Sequence, residues 1–412
     1  MYAASLRTFF WALLITLLVT RGILEAALAK KAAMIAQFGI LVPAIALLSL
    51  ERRVLFSAKQ KRLLLFALLF VCSALLSCAL TYWLTGSTVW IVYLSFNLGL
   101  VLLALLLIRD FPPSELAPKL IPFIRALGWL LLAAAMLEQL RILKVVGSGE
   151  MYVIRPASLT GSFLHYPLVM NLFGLVLMQH WQSERSLFSL FSGVVFNLAP
   201  FAAASRSGML LAAATLFLYP FVNRFQRSRG ILLLLGVIVA ASLMLFTLGS
   251  KETSKNKVVN LVHRLVTAAQ SKAAGNEIRI RTWKQVTARW LKTNLLLGEE
   301  AGVITNSTNN LAREKRGKTK GLYNVSESSP LQLLSNFGLL GLIGFYGILF
   351  QIPRFMDRSH CWLHAGFWGA LVQTLVYQSI EVVPFIGLLL LFPFFSQTLL
   401  KRDNRIFSLA TN

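Results

Sequence analysis

The chain has 412 residues, of which 57% are hydrophobic and only 14% charged, with a mean hydropathy of +0.68. A soluble domain of this size carries roughly 25% charged residues, so a soluble globular enzyme, a disordered chain and a secreted disulfide scaffold are all excluded. The formal charge is +24, from 40 basic and 16 acidic residues; nucleic-acid binding is one reading of such a charge, but most of the bases sit in short links between apolar runs, where the cytoplasmic retention of positive charge accounts for them.

Twelve apolar runs of 17 to 22 residues follow one another, at 8–27, 33–50, 62–83, 88–108, 121–138, 162–179, 187–204, 207–223, 230–249, 331–350, 362–379 and 383–399. Each can cross roughly 30 Å of hydrocarbon as a helix, and helices are required because lipid offers no partner to an open backbone. Arg7 ahead of the first run gives it the look of a signal peptide. No soluble mature sequence follows, so the run reads as an uncleaved first span. Cys72 and Cys78 share the third run and Cys361 precedes the eleventh. Three scattered cysteines form neither a metal site nor a disulfide framework and read as packing residues.

With the N-terminus cytoplasmic, the inner links hold Arg52, Arg53, Lys59, Lys61, Arg62, Arg109, Lys119, Arg224, Arg227, Arg229, Arg354 and Arg358, and the tail adds Lys401, Arg402 and Arg405. The outer links at 84–87 and 380–382 hold no base, while Lys30, Lys31, Arg141, Lys144 and Arg155 are outer exceptions. The bias predicts both termini inside and an even number of spans. The expected fold is therefore an all-α polytopic membrane protein of about 12 transmembrane helices, with one large outer loop before the last three spans. Residues 1–249 form an N-terminal bundle of about nine helices, 250–329 the loop, and 330–412 a three-helix segment with a cytoplasmic tail.

The loop carries fifteen Lys or Arg against six Asp or Glu, a net +9. It is too long for a mere connection. Trp283, Val286 and Trp290 fall at i, i+3 and i+7, with Arg279 four before Trp283. That spacing predicts a short amphipathic helix within 278–297, lying against the membrane or in the mouth of the bundle. Residues 301–320 are rich in Asn, Thr, Ser and Lys and read as a mobile flap. In the following run, Gly338, Gly341, Gly344 and Gly347 recur at threes, as close helix packing requires.

Four stretches can carry chemistry, all on the expected outer side. The polar, glycine-containing run Arg155 to His165 leads into the span at 162–179; a loop with a helix cap is its plain structural reading. Arg206, in Ser205-Arg206-Ser207-Gly208, sits in a very tight link at membrane depth, where arginine is costly unless it has a task. Arg279 and Arg281 lie beside Trp283, and a guanidinium fork suits phosphate. Glu327 and Ser328 precede Ser329 and Pro330, which suit a helix cap and a first turn. There, a carboxylate at a helix start is either simply favoured by the dipole or a catalytic or orienting group. Arg155, Arg206, Arg279 and Arg281 together would make a positive cavity near the headgroups. A lipid-linked pyrophosphate fits it, with the chain between helices. The sequence shows no metal cluster, no glycine-rich nucleotide loop and no Asp-x-Asp pair, so no cofactor is expected, and a prenyl pyrophosphate donor fits better than a nucleotide sugar. Arginines placed in advance can stabilise departing pyrophosphate unaided.

These pieces resemble the O-antigen ligase and polymerase superfamily of bacterial envelope glycosyltransferases. The resemblance rests on Arg155 to Pro167, Ser205-Arg206-Ser207-Gly208, Arg279-x-x-x-Trp283 followed by Leu297-Gly298, and Glu327-Ser328-x-x-Leu331-x-Leu333-Leu334-x-x-x-Gly338-x-x-Gly341. It covers the second half of the chain. It implies an inner-membrane, metal-independent enzyme acting at the periplasmic face on undecaprenyl-pyrophosphate-linked oligosaccharides, which serve as donor and acceptor. A chain-length regulator is an implied partner beside membrane lipids, and nucleic acid is not. The family's essential arginines carry over to Arg206 and Arg279, with Arg281 an adjacent candidate. Ligases tend to have His-Asn where this chain has Glu327-Ser328, so the resemblance is greater to repeat-unit polymerases. Glu327 is then the first choice of base, His165 the second and His263 a weaker third. The site expected is catalytic Glu327, Arg206 and Arg279, with Arg155, His165, Arg281, Trp283 and Ser328 binding substrate. A polysaccharide transporter would spread ionisable residues and repeat symmetry through several spans, and a docking protein would tolerate Arg206→Lys; neither pattern fits as well.

Overall fold

The computed structural model describes residues 2–20, 22–23, 33–50, 57–86, 90–108, 117–143, 145, 149–150, 154–203, 205–222, 274–298, 301–302 and 328–399. They are helical almost throughout. The α-helices are α1 Tyr2–Val19, α2 Ala33–Leu50, α3 Ala58–Thr85, α4 Trp90–Leu105, α5 Ala117–Gln139, α6 His165–Glu184, α7 Leu187–Ala202, α8 Arg206–Val222, α9 Ala274–Trp290, α10 Ser329–Gln351, α11 Cys361–Val376 and α12 Val383–Leu390. The chain is helical again over 392–399. Two-residue strands, Gly149–Glu150 and Ile154–Arg155, pair antiparallel. Each expected apolar run meets one of these helices except 230–249, which lies outside the described residues, as do 250–273 and 303–327 of the expected loop. The largest displacement is at the start, where α1 begins at Tyr2 and ends at Val19 rather than spanning 8–27.

Among the described residues, three helices are long and apolar enough to cross a bilayer, over Ala58–Leu84, Lys119–Gln139 and Ser329–Phe355. Leu6–Val19, Ile40–Leu50, Leu187–Ala202 and Arg206–Val222 are shorter apolar helices. Leu65, Leu68, Leu75 and Leu76 of α3 are exposed, a face that hydrocarbon rather than water would cover. Tyr82 and Trp83, also exposed, sit at its end, as aromatic residues do at a membrane boundary.

The chain divides into two compact units. The first holds Met1–Leu120, Arg279–Asp357 and Thr374–Asn412, the second Ile121–Ile278 and Arg358–Gln373. In the first, α3 lies along α10 and α1 along α2, and α4 touches α2, α3 and α12. Ser57 starts α3 with a reciprocal cap: its hydroxyl accepts from the Gln60 amide, and its own amide donates to Gln60 Oε1 at 2.8 Å. The glycines of α10 face α3, as their spacing predicts. A Cβ on Gly344 would stand 2.7 Å from the Phe70 nitrogen, and one on Gly347 would stand 2.2 Å from the Phe66 ring.

Gly338 does something different. It has φ +66 and ψ −166 and breaks α10. The amides beyond the break are taken by the segment after α9: Leu339 donates to Leu295 O at 2.9 Å and Leu340 to Leu296 O at 3.1 Å. Two carbonyls just before the break find hydroxyls on α3, Ser77 Oγ donating to Asn336 O and Ser73 Oγ to Phe337 O at 2.8 Å. Gly302 N donates to Asn336 Oδ1 at 2.7 Å and Ala301 N to Thr81 Oγ1 at 3.1 Å. Every polar group freed by the break that these contacts involve is thereby satisfied, as an apolar surrounding demands.

In the second unit, α6 packs along α7, with α8 against both. A Cβ on Gly174 would stand 2.3 Å from Asn197 Nδ2 and 2.9 Å from the Gly193 carbonyl. At the far end of this pair, Ser189 Oγ accepts from Arg125 at 2.7 Å and bonds His180 Nδ1 at 2.7 Å, while His180 Nε2 lies 3.1 Å from Glu184.

Gly338→Ala is expected to lower stability by well over 1 kcal/mol, since a side chain there meets both a left-handed backbone and Leu296 O at 2.2 Å. Gly86→Ala, at φ +62 with open space around it, is expected to cost only about 1 kcal/mol. Thermal unfolding of the two variants in detergent checks the difference; equal losses would mean that the Leu296 contact contributes nothing.

Candidate active site

Two groups of the expected residues sit on built structure, one in each unit. In the second unit, Arg155 is held in the short antiparallel ribbon opposite Gly149. Its guanidinium carbon lies 4.1 Å from the centroid of the Phe163 ring, a cation–π contact. The next residues form a tight loop around Glu138, near the end of α5. The buried Glu138 carboxylate accepts from Ala157 N at 3.0 Å and Ser158 N at 2.5 Å. Ser158 stands at φ +50, uncommon for a residue with a side chain, and its hydroxyl donates to Leu131 O at 2.7 Å. Gly161 then turns at φ +78 into α6, whose first residue is His165, with Nδ1 3.4 Å from Thr160 O.

Arg206 opens α8. Ser205 Oγ accepts from Gly208 N at 3.3 Å, as a cap does, and Asn171 Nδ2 donates to Gly208 O at 2.7 Å. A Cβ on Gly208 would stand 2.8 Å from Pro200 and 3.0 Å from Pro167. Only glycine lets the first turns of α6 and α8 and the end of α7 approach this closely. The fold therefore brings the Arg155–His165 stretch and Arg206 to one end of this unit. Arg206 is half-buried beside the positive end of a helix dipole, a setting suited to an anion.

In the first unit, α9 confirms the amphipathic helix expected within 278–297. Thr282 and Val286 are buried and Trp283 and Trp290 half-buried, whereas Arg281 is exposed. Arg279 and Arg281 thus part company: Arg279 lies on the covered face, with its guanidinium carbon 4.5 Å from the centroid of the Tyr377 ring. Tyr377 belongs to the turn between α11 and α12, which is sewn to the start of α10. Ser328 Oγ donates to Leu375 O at 2.9 Å, and Ser329 Oγ donates to Tyr377 O at 2.7 Å while accepting from Ser379 N and Ile380 N. Ser328, not Ser329, takes the cap position of α10, and its hydroxyl makes no capping bond. The expected cap is corrected in this way because the turn offers Ser329 stronger employment. Pro330 does stand in the first turn. Glu327, the expected base, lies outside the described residues, directly ahead of Ser328. Gln332 Nε2 donates to Glu381 Oε1, and both residues are buried.

The residues that sequence reasoning passed over are Glu138, Asn171, Tyr377, Gln332 and Glu381. For the two acids a signal existed: each is a lone carboxylate where an apolar run ends or two runs meet. For Asn171 and Tyr377 there was none, since their partners are far away in sequence. Among the described residues, no group of three or more His, Cys, Asp or Glu is placed to hold a metal ion.

The apolar helices point to a multi-pass membrane protein. Residues 187–346 match the family model described as O-antigen ligase, a match that supports the resemblance to the O-antigen ligase/polymerase superfamily. The match takes in Arg206, Arg279, Arg281, Trp283, Glu327 and Ser328, and leaves Arg155, His165 and Glu381 outside it. No curated protein and no solved structure matches the chain.

Glu138→Ala removes the acceptor of two buried amides. It is expected to cost about 1.5–3 kcal/mol per charged hydrogen bond at most and to release the Ala157 and Ser158 amides to solvent. Hydrogen exchange over 155–165 measures this; unchanged protection there would show that Glu138 does not hold the loop.

Proposed function

We propose that the protein is a glycosyltransferase that polymerises undecaprenyl-pyrophosphate-linked oligosaccharide repeat units at the periplasmic face of the bacterial inner membrane, with both termini cytoplasmic. The observation that carries this reading is the placement of Arg279. Its guanidinium is held over Tyr377, in the turn that pins the start of α10, and Glu327 immediately precedes that start. A cation is thus held beside the start of α10, and in this reading Glu327, next to Ser328 in sequence, supplies the carboxylate that displacement of a pyrophosphate by a hydroxyl requires.

In the proposed step, the acceptor sugar's hydroxyl oxygen attacks the donor's anomeric carbon. The bond from that carbon to the pyrophosphate oxygen breaks, and undecaprenyl pyrophosphate departs with the electron pair. Glu327 takes the hydroxyl proton as general base. Arg206 and Arg279 stabilise the leaving charge with forked donors fixed beforehand. Arg155, His165, Arg281, Trp283 and Ser328 line the path of donor and acceptor. A single displacement inverts the anomeric configuration. Holding two lipid-linked partners in register supplies much of the rate. The description of the matching family favours a second reading, in which the glycan passes instead to lipid A–core.

Full-length protein in liposomes, supplied with the lipid-linked repeat unit alone, is expected to build a ladder of lipid-linked products. Product formed only after lipid A–core is added would favour the ligase instead. Arg206→Lys and Arg279→Lys are each expected to lower turnover by about 100-fold or more, since a point charge does not replace a fork. Wild-type turnover in both variants would sink the pyrophosphate assignment.

A further inference from the structure

The end of the second unit away from Arg206 holds a guanidinium that the proposed displacement does not use. Helix α6 runs from His165 to Glu184, and α7 returns from Leu187 to Ala202, close to Arg206. A helix of this length separates the two ends by about 30 Å. At the far end stands Arg125, in the apolar helix Lys119–Gln139 and about 9 Å along it from Lys119. Arg125 is half-buried. Its Nη2 donates to the buried Ser189 hydroxyl at 2.7 Å, and its guanidinium carbon lies 4.6 Å from the centroid of the Phe188 ring. Ser189 Oγ is itself 2.7 Å from His180 Nδ1 and donates to Ser186 Oγ at 3.2 Å. A loose interfacial arginine snorkels to water, whereas this one is clamped to a buried polar network. Among the described residues Ser189 is its hydrogen-bond partner and no acidic side chain pairs with it; Glu184, the acid of the network, lies against His180. A cation at membrane depth without a counter-charge is costly and seldom lacks a task.

From Arg125, α5 and α7 continue side by side as an aromatic seam. Trp129, one turn on, stacks on Phe191 with centroids 5.9 Å apart, and its Nε1 donates to Ser192 Oγ at 3.2 Å. A Cβ on Gly128 would stand 2.3 Å from the Phe196 ring, so the helices meet closely there. Leu130, Leu187, Phe188 and Phe191 are exposed, a face that hydrocarbon covers in a bilayer. A soluble anion would have to enter hydrocarbon to reach Arg125. A phospholipid brings a phosphate to this depth and lays its chains on the exposed rings. A zwitterionic headgroup carries its own cation beside the phosphate; an anionic one leaves that place to the arginine.

We propose that the α5–α7 seam binds an anionic phospholipid, its phosphate on Arg125 and its acyl chains along Phe188 and Phe191. With both termini cytoplasmic, the lipid belongs to the cytoplasmic leaflet, opposite the proposed reaction. The site stands on these contacts alone and is independent of the polymerase reading.

Native mass spectrometry of the full-length protein in detergent tests it, with dioleoyl phosphatidylglycerol and dioleoyl phosphatidylcholine as probes. Arg125→Met is expected to weaken phosphatidylglycerol binding by about tenfold, the loss of a charge-assisted contact, and to change phosphatidylcholine binding by less than about twofold. Arg125→Lys keeps the charge and guards against misfolding; it should lose about threefold, because an ammonium does not reproduce the clamped fork. Arg62→Met removes an exposed charge at the start of α3 and should stay within about twofold of wild type. Wild-type affinity for phosphatidylglycerol in either Arg125 variant would overturn the site. So would an equal loss in Arg62→Met, which would reduce the effect to overall charge, or displacement of the lipid by inorganic phosphate, which would make the ligand a soluble anion.

Discussion

An amide inside a bilayer has no water to turn to, and the break in α10 at Gly338 creates two such amides. The segment following α9 meets that need: Leu295 and Leu296 lend their carbonyls to Leu339 and Leu340. Because these bonds are compulsory in an apolar setting, the segment after α9 is not free to drift away from the helices. It is stitched to α10 at the break, and α9 is drawn against the start of the same helix. The position of Arg279 follows from that stitch. The missing Cβ at Gly338 is what makes it possible, since the two backbones meet there without any side chain between them.

The same economy of backbone partners shapes the other unit. Glu138 satisfies two amides of a loop that contains a left-handed serine. That loop delivers Arg155 and His165 to the first turn of α6. Gly208 lets the first turn of α8 close on it, with Arg206 at its head. In both units an arginine is fixed where polar chain ends are gathered, and the gathering is done by buried hydroxyls, amides and carboxylates rather than by surface ion pairs. Surface pairs would be worth little, whereas a buried polar group without its partner is expensive. The surroundings of both arginines are thus settled by the fold itself.

Much of this was legible from the chain alone. Apolar length marked the helices, because a span of hydrocarbon sets a minimum run of residues. The threefold glycines marked the face of α10 that meets α3, and Trp283, Val286 and Trp290 marked the covered face of α9. What spacing could not separate were Arg279 and Arg281. They lie two apart, and only the docking of α9 turns one to Tyr377 and the other to solvent. Nor could it assign Ser328 and Ser329, whose hydroxyls answer to carbonyls some fifty residues on.

By itself, then, the sequence determined the helical membrane class, the order of the segments and the arginine-bearing motifs, because each depends on composition or on spacing within one helix. The tertiary structure alone decided which polar groups became partners. Glu138 with Ala157 and Ser158, Gln332 with Glu381, and Leu295 and Leu296 with the broken α10 are pairings between segments remote along the chain. Nothing local distinguishes a lone carboxylate or a leucine carbonyl that will find such a partner from one that will not. The choice is made only when apolar packing brings the segments together and leaves each buried polar group whatever stands beside it.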